Sequence, residues 1–159
     1  MAIWKSVPGA PATPVDGRSG ITIGNFEGVH RGHQALLAAT REAAAGGEVV
    51  AITFEPHPAA LFAPNRAPKR LTTLQRRIDL LHRHGADHVR VLDFTREMAG
   101  WSPEEFVRQV LLGQCHARAV IVGAGFHFGS RASGSIENLV DEGERHGFTA
   151  AALTLVGDG

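Results

Sequence analysis

The sequence predicts an α/β fold: an open, parallel sheet of five strands with helices on both faces. Two observations lead there. Five short apolar runs, Ile21–Gly24, Val49–Phe54, Val89–Leu92, Ala119–Gly123 and Phe148–Val156, are spread along the chain, and several are continuously apolar and β-branched. Runs of that kind suit strands buried on both faces of a parallel sheet. Helix-like segments separate the runs, and such β-α alternation predicts crossovers that lay the strands side by side in one direction.

Each element has its own signal. Residues 1 to about 19 read as an arm or irregular lead-in, because Pro8, Pro11 and Pro14 bar regular helix. The remainder, 20–159, reads as one domain. The first helix covers Gly32–Ala45, rich in Ala and Leu, and stops at Gly46-Gly47. In the second, Leu74, Ile78 and Leu81 recur at helical spacing before Gly85. The third opens on Ser102-Pro103-Glu104-Glu105, a capping serine with proline in the first turn. Its apolar stripe is Phe106, Val107, Val110 and Leu111. In the last, Ser135 caps a segment carrying Ile136, Leu139 and Val140 that ends at Gly147. Two loops, 55–71 and 124–134, are long for such a fold, and long loops in compact α/β domains are often binding elements.

Composition narrows the partners. Sixteen Lys and Arg balance sixteen Asp and Glu, so no basic excess points to nucleic acid or an acidic membrane surface. No apolar stretch reaches the ~20 residues of a membrane span, and no signal peptide follows Met1. Cys115 is the only cysteine, which rules out an intrachain disulfide and a cysteine zinc site, and suits a cytoplasmic protein. Its surroundings mark a structural thiol rather than a nucleophile. His82, His84 and His88 read as a solvated helix end, and Lys69-Arg70 and Arg76-Arg77 as solvated surface. No metal-ligand set is expected. Oligomeric state is not legible.

Ligands in open α/β sheets bind beyond the carboxyl ends of the strands. There this chain carries Gly24-Asn25-Phe26-Glu27-Gly28-Val29-His30-Arg31-Gly32-His33, then Glu55-Pro56-His57-Pro58, Asp93-Phe94, and Gly123-Ala124-Gly125-Phe126-His127-Phe128-Gly129. The first segment joins a buried strand to a helix. A helix start offers N–H groups and a positive dipole end to an anion. Gly28 and Gly32 leave room for a phosphate chain, and His30 and His33 can donate to its oxygens. The plainer alternatives are a surface turn or a pair of zinc ligands. Zinc lacks a third ligand at suitable spacing.

Read whole, Gly24 to Gln34 resembles the first signature of prokaryotic FAD synthetases, members of the HxGH nucleotidyltransferases with a Rossmann-like sheet. Thr53-Phe54-Glu55-Pro56-His57-Pro58, Arg70-Leu71-Thr72, Ser102-Pro103-Glu104-Glu105-Phe106-Val107, and Val122-Gly123 followed by Phe126-His127-Phe128-Gly129 are similar to the same family, in the same order. The resemblance implies an adenylyltransferase module that joins FMN to the AMP part of ATP, with Mg²⁺ assisting. It implies that His30 and His33 hold the ATP phosphates. It places Gly24, Asn25, Phe26, Gly28, Gly32 and Gly123 at the nucleotide, with Arg131 nearby, although a solvated loop charge is Arg131's ordinary role. It assigns Pro56, Pro58, Phe62, Phe126 and Phe128 to the flavin. Core packing is the alternative for Phe54, Phe62, Phe126 and Phe128, and foremost for Phe54.

Three departures stand against the family pattern. Glu27 replaces an aspartate, and Gly125 replaces an Asp or Asn that would add a side-chain contact in the nucleotide site. The sequence ends at Gly157-Asp158-Gly159, before the family's Ser-Ser-Thr-x-Ile-Arg phosphate segment and its riboflavin kinase module. The expectation is therefore a domain truncated from a longer protein, or a natural short paralogue, without riboflavin kinase activity. A module that holds flavin or adenine nucleotide without turnover, and a nucleotidyltransferase with another phosphorylated acceptor, remain the alternatives.

Overall fold

A computed structural model describes residues 3–26, 31–55, 73–129 and 134–154. In chain order the elements are β1 (Ser19–Ile23), α1 (Arg31–Ala43), β2 (Glu48–Glu55), α2 (Leu74–Arg83), β3 (His88–Asp93), α3 (Arg96–Ala99), α4 (Pro103–Phe106), a π-helical turn (Val107–Leu112), β4 (Ala117–Gly123), α5 (Ile136–His146) and β5 (Thr149–Leu153). The five strands form one sheet in the order β3-β2-β1-β4-β5. Every pairing is parallel. The expected Rossmann-like architecture of nucleotidyltransferase type is the one the chain adopts.

Alternation along the strands builds two cores. In β2, Val50, Ile52 and Phe54 face one way, packing with Val107, Val110 and Leu111 of the π turn and Leu139 of α5. Val49 and Ala51 face the other way, packing with Leu36 and Leu37 of α1 and Ile78 and Leu81 of α2. Helices therefore cover both faces, which explains why the strands read as unbroken apolar runs. Close approach is extreme at Gly20, where a Cβ would lie 2.8 Å from the Thr40 carbonyl oxygen and 2.9 Å from the Ala44 Cβ. Only glycine lets α1 seat this tightly on β1.

The lead-in is more ordered than its prolines suggest. The Lys5 N–H donates to the Val91 carbonyl, and the Asp93 N–H donates to the Ile3 carbonyl. The arm thus bridges antiparallel to the outer edge of β3 at Trp4 and Leu92. Prolines forbid helix in such a segment, but they do not forbid edge pairing on either side of them.

Candidate nucleotide-binding site

The strand order fixes where a ligand fits. From β1 the chain moves outward to β2 and β3, then returns to place β4 on the other side of β1. That reversal opens a crevice beyond the carboxyl ends of β1 and β4. Ile23 is paired in register with Val122, so Gly24 and Gly123 follow side by side at the crevice floor. Neither brings a side chain into it.

Helix α1 begins at this point. Arg31 is its first residue, Gly32 is buried and His33 is half-buried within the first turn. No acidic residue occupies that turn, so nothing there opposes a bound anion. The His33 ring meets Phe26 edge-on, with centroids 5.2 Å apart and planes 76° from parallel. Phe26 itself is buried in the core of the α1 face, at a left-handed φ of 53°. Its ring backs the imidazole, and the resemblance sets Phe26 beside the nucleotide as well. Asn25, between Gly24 and Phe26, has a buried side-chain Oδ1 with no hydrogen-bond partner among the described residues.

Beyond β4, Phe126 donates its N–H to the Gly123 carbonyl across a turn, with Gly125 at φ 88°. A type II turn needs positive φ at this position, which Gly adopts best and Asn second. A Cβ on Gly125 would meet nothing within 4 Å. The departure at Gly125 thus preserves the backbone and omits only a side chain. Phe126 is half-buried and stacks on Phe128, with centroids 6.0 Å apart and planes 14° from parallel. Phe128 is buried and leans on Phe106 at 5.3 Å. In the described chain Phe128 belongs to the core, and Phe126 is the more accessible of the two rings. Phe54 is core too, edge-on to Phe94. Gly28, His30, Pro56, Pro58, Phe62 and Arg131 lie outside the described residues, as does Lys69-Arg70.

One expectation is overturned. Arg77 is not solvated surface: its side chain is completely buried, while its neighbour Arg76 is exposed. Its Nη1 donates to the Asn25 carbonyl at 2.9 Å and to the Thr53 hydroxyl at 3.1 Å. Its Nη2 donates to Glu55 Oε2 at 2.9 Å. The Thr53 hydroxyl in turn donates to the Asn25 carbonyl at 3.2 Å. A signal existed. Leu74, Arg77, Ile78 and Leu81 fall at i, i+3, i+4 and i+7, so Arg77 rides on the apolar stripe of α2.

The weaker signals resolve into structural ties. His82 bridges the Gly9 and Ala86 carbonyls, and His88 pairs with Glu48. Burial pushes the Cys115 thiol up to about 12, so it carries no thiolate near neutrality. No group of three His, Cys, Asp or Glu suited to a metal occurs among the described residues. Nor is any described helix long and apolar enough to cross a membrane.

A parallel sheet of this order, with Gly24 and Gly123 following the paired ends of β1 and β4 and His33 in the first turn of α1, is the nucleotidyltransferase type of Rossmann-like fold. Comparison with known proteins agrees and narrows it. The sequence model of the FAD synthetase family matches residues 13–159, and the chain belongs to that family. It is 41% identical over 137 residues to the bifunctional riboflavin kinase/FMN adenylyltransferase of Pseudomonas fluorescens, covering 85% of this chain and 44% of the relative. The protein of the same description from Escherichia coli K12 is 37% identical over 130 residues, covering 80% and 42%. The chain spans less than half the length of these relatives. A crystal structure described as a macrolide-efflux protein from Streptococcus pneumoniae superposes with a TM-score of 0.76 over 92% of this chain and 49% of the other. At 22% identity, that likeness concerns the fold alone.

Proposed function

We propose that this chain is an FMN adenylyltransferase domain, making FAD and pyrophosphate from FMN and the Mg²⁺ complex of ATP. The observation that carries the reading is that α1 starts, with His33 in its first turn, close after β1, where Gly24 and Gly123 follow the paired Ile23 and Val122. In the reaction, an oxygen of the FMN phosphate attacks the α-phosphorus of ATP. The bond from that phosphorus to the oxygen bridging to the β-phosphorus breaks, and pyrophosphate leaves with both electrons. No covalent enzyme intermediate is needed, so catalysis rests on alignment and on stabilising the charge that grows on the leaving oxygens. The α1 dipole and an N–H of His33 supply both, with His30 as its partner. Mg²⁺ would arrive with the ATP phosphates, the usual way this ion is held in nucleotide sites. The bare floor at Gly24 and Gly123 admits the phosphate chain. Phe126 offers a flat apolar face to the flavin, backed by Phe128. Pro56, Pro58 and Phe62 would complete that pocket, and Arg131 and Gly28 the nucleotide side. From these substrates we infer a cytoplasmic location.

Incubation of the purified protein with FMN and MgATP is expected to yield FAD and pyrophosphate in equal amounts. His33→Ala should keep the fold and lower kcat by roughly a hundredfold to a thousandfold, the scale of losing one charge-stabilising donor. A folded protein with no FAD formation, at a sensitivity reaching an activity ~10⁴-fold weaker, sinks the reading. The rival is a module that holds nucleotide without turnover, motivated by the bare Gly125 turn. Calorimetry separates the two, because the rival binds ATP or FMN and yields no product.

A further inference from the structure

We propose that Arg77 is the positioning residue of the nucleotide site. It would set the exit of β1, and through it Asn25 and the start of α1, by clamping that exit to the end of β2. The inference rests on the adenylyltransferase reading for its kinetic test but not for its binding test.

The geometry is specific. A fully buried guanidinium spends one nitrogen on the Asn25 main-chain carbonyl and the Thr53 hydroxyl, and another on Glu55. Asn25 and Glu55 head the two chain segments that leave the carboxyl ends of β1 and β2. Arg77 therefore joins the segment that leads to His33 with the one that leads to Pro56 and Pro58. The planar fork matters, since lysine cannot reach three acceptors with fixed angles. Thr53 closes the triangle by donating to the same Asn25 carbonyl.

Stability alone gives a weak account of this charge. Burying an ion carries a desolvation penalty of several kcal/mol, and an apolar replacement of similar volume is often as stable. Its partner Glu55 keeps 28% of its side chain exposed, so it stays hydrated if Arg77 is lost. A charge so placed has its effect on where Asn25 sits. On the same residue whose carbonyl the clamp holds, the Asn25 amide buries an Oδ1 without a partner among the described residues. A fixed main chain keeps that amide aimed.

The test uses Arg77→Met, Arg77→Lys and Thr53→Val. Thr53→Val is nearly isosteric, suits a strand, and removes only the shared hydroxyl. Each variant is followed by thermal unfolding, by ATP affinity from calorimetry without FMN, and by kcat and KM for FAD formation. The expected result is a loss of about tenfold or more in kcat/KM for ATP in Arg77→Met and Thr53→Val, as a small misplacement of reacting groups produces. ATP affinity should weaken in parallel, and Arg77→Lys should recover only part. Folded variants with wild-type ATP affinity and kinetics, differing only in melting temperature, overturn the proposal. If Arg77→Met does not fold, Thr53→Val decides alone. A wild-type protein that binds ATP but makes no FAD defeats the enzymatic reading, and the positioning role is then judged on ATP affinity. A protein that binds no ATP defeats both.

Discussion

Phe26 shows how much one residue can carry. Its φ of 53° lies in the left-handed region, which a bulky side chain occupies only under compensation. The compensation is burial: its ring is 1% exposed, lies within contact of the Gly24 position and edge-on to His33. The strained turn redirects the chain from β1 towards α1. Two substitutions separate packing from strain. Phe26→Ala should lose about 3–5 kcal/mol of packing and keep the strained backbone. Phe26→Gly loses the same ring but tolerates positive φ. It should therefore be at least as stable as the alanine variant, and by about 1 kcal/mol more stable if the strain is the usual size for the left-handed region. Urea unfolding of the pair measures the difference. An alanine variant more stable than the glycine variant would show that Phe26 carries no backbone strain.

Among elements, the strands and the longer helices were legible because their signals are local. Gly46-Gly47 ends α1, and Ser135 and Gly147 bracket α5 as the capping rules require. Four-residue α3 carries too few residues for any periodicity, so only its Thr95 cap could have announced it. The stripe Phe106, Val107, Val110 and Leu111 announced a helix but not its widened turn, where the Gly113 N–H donates to the Arg108 carbonyl. At the candidate site, the placement of Gly24 and Gly123 at strand ends and of His33 at a helix start was legible because strand ends and helix starts follow local rules. The Arg77 clamp was not, because its partners lie 22, 24 and 52 residues away and depend on strand order. Asp87 is a comparable long-range tie, taking the Val49 N–H at the start of β2 and the Arg41 guanidinium of α1. Burial alone pushes its carboxyl up, but those donors outweigh it and hold it below the usual aspartate range. A depressed folded-state pKa gives stability that is full above the unfolded value of about 3.9 and is lost as pH falls through the folded one. Because 35% of the side chain is exposed, Asp87→Ala should cost only about 1 kcal/mol at pH 7. Between pH 7 and a pH below the unfolded aspartate value, the gap in urea midpoints to wild type should narrow as the native carboxylate takes up its proton. An equal gap at both pH values would mean that the charge contributes nothing.

At the scale of the molecule, a sheet must dispose of its edges. The β3 edge is covered by the chain's own lead-in. Trp4 is buried in the larger core beside Leu92, and its Nε1 donates to Gln114 Oε1 at 3.0 Å, just before β4. The Val15 N–H donates to the Gln114 carbonyl, and Arg90 donates to the Thr13 carbonyl from within β3. The arm therefore fastens the outer strand to the segment that precedes β4, across the sheet and away from the crevice at β1 and β4. Trp4→Ala should remove about 3–5 kcal/mol through lost packing. It should also uncover the Val91 and Asp93 backbone groups that residues 3–5 now occupy. An uncovered edge pairs with other chains, so light scattering should rise with protein concentration in the variant and not in the wild type. Because the ties of the described arm residues run to β3 and to Gln114, KM for ATP in the folded fraction should stay at the wild-type value. A variant with wild-type stability and no association would mean that β3 needs no cover. One that remained folded but bound ATP poorly would place the arm in the nucleotide site, against the separation of edge and crevice that the strand order imposes.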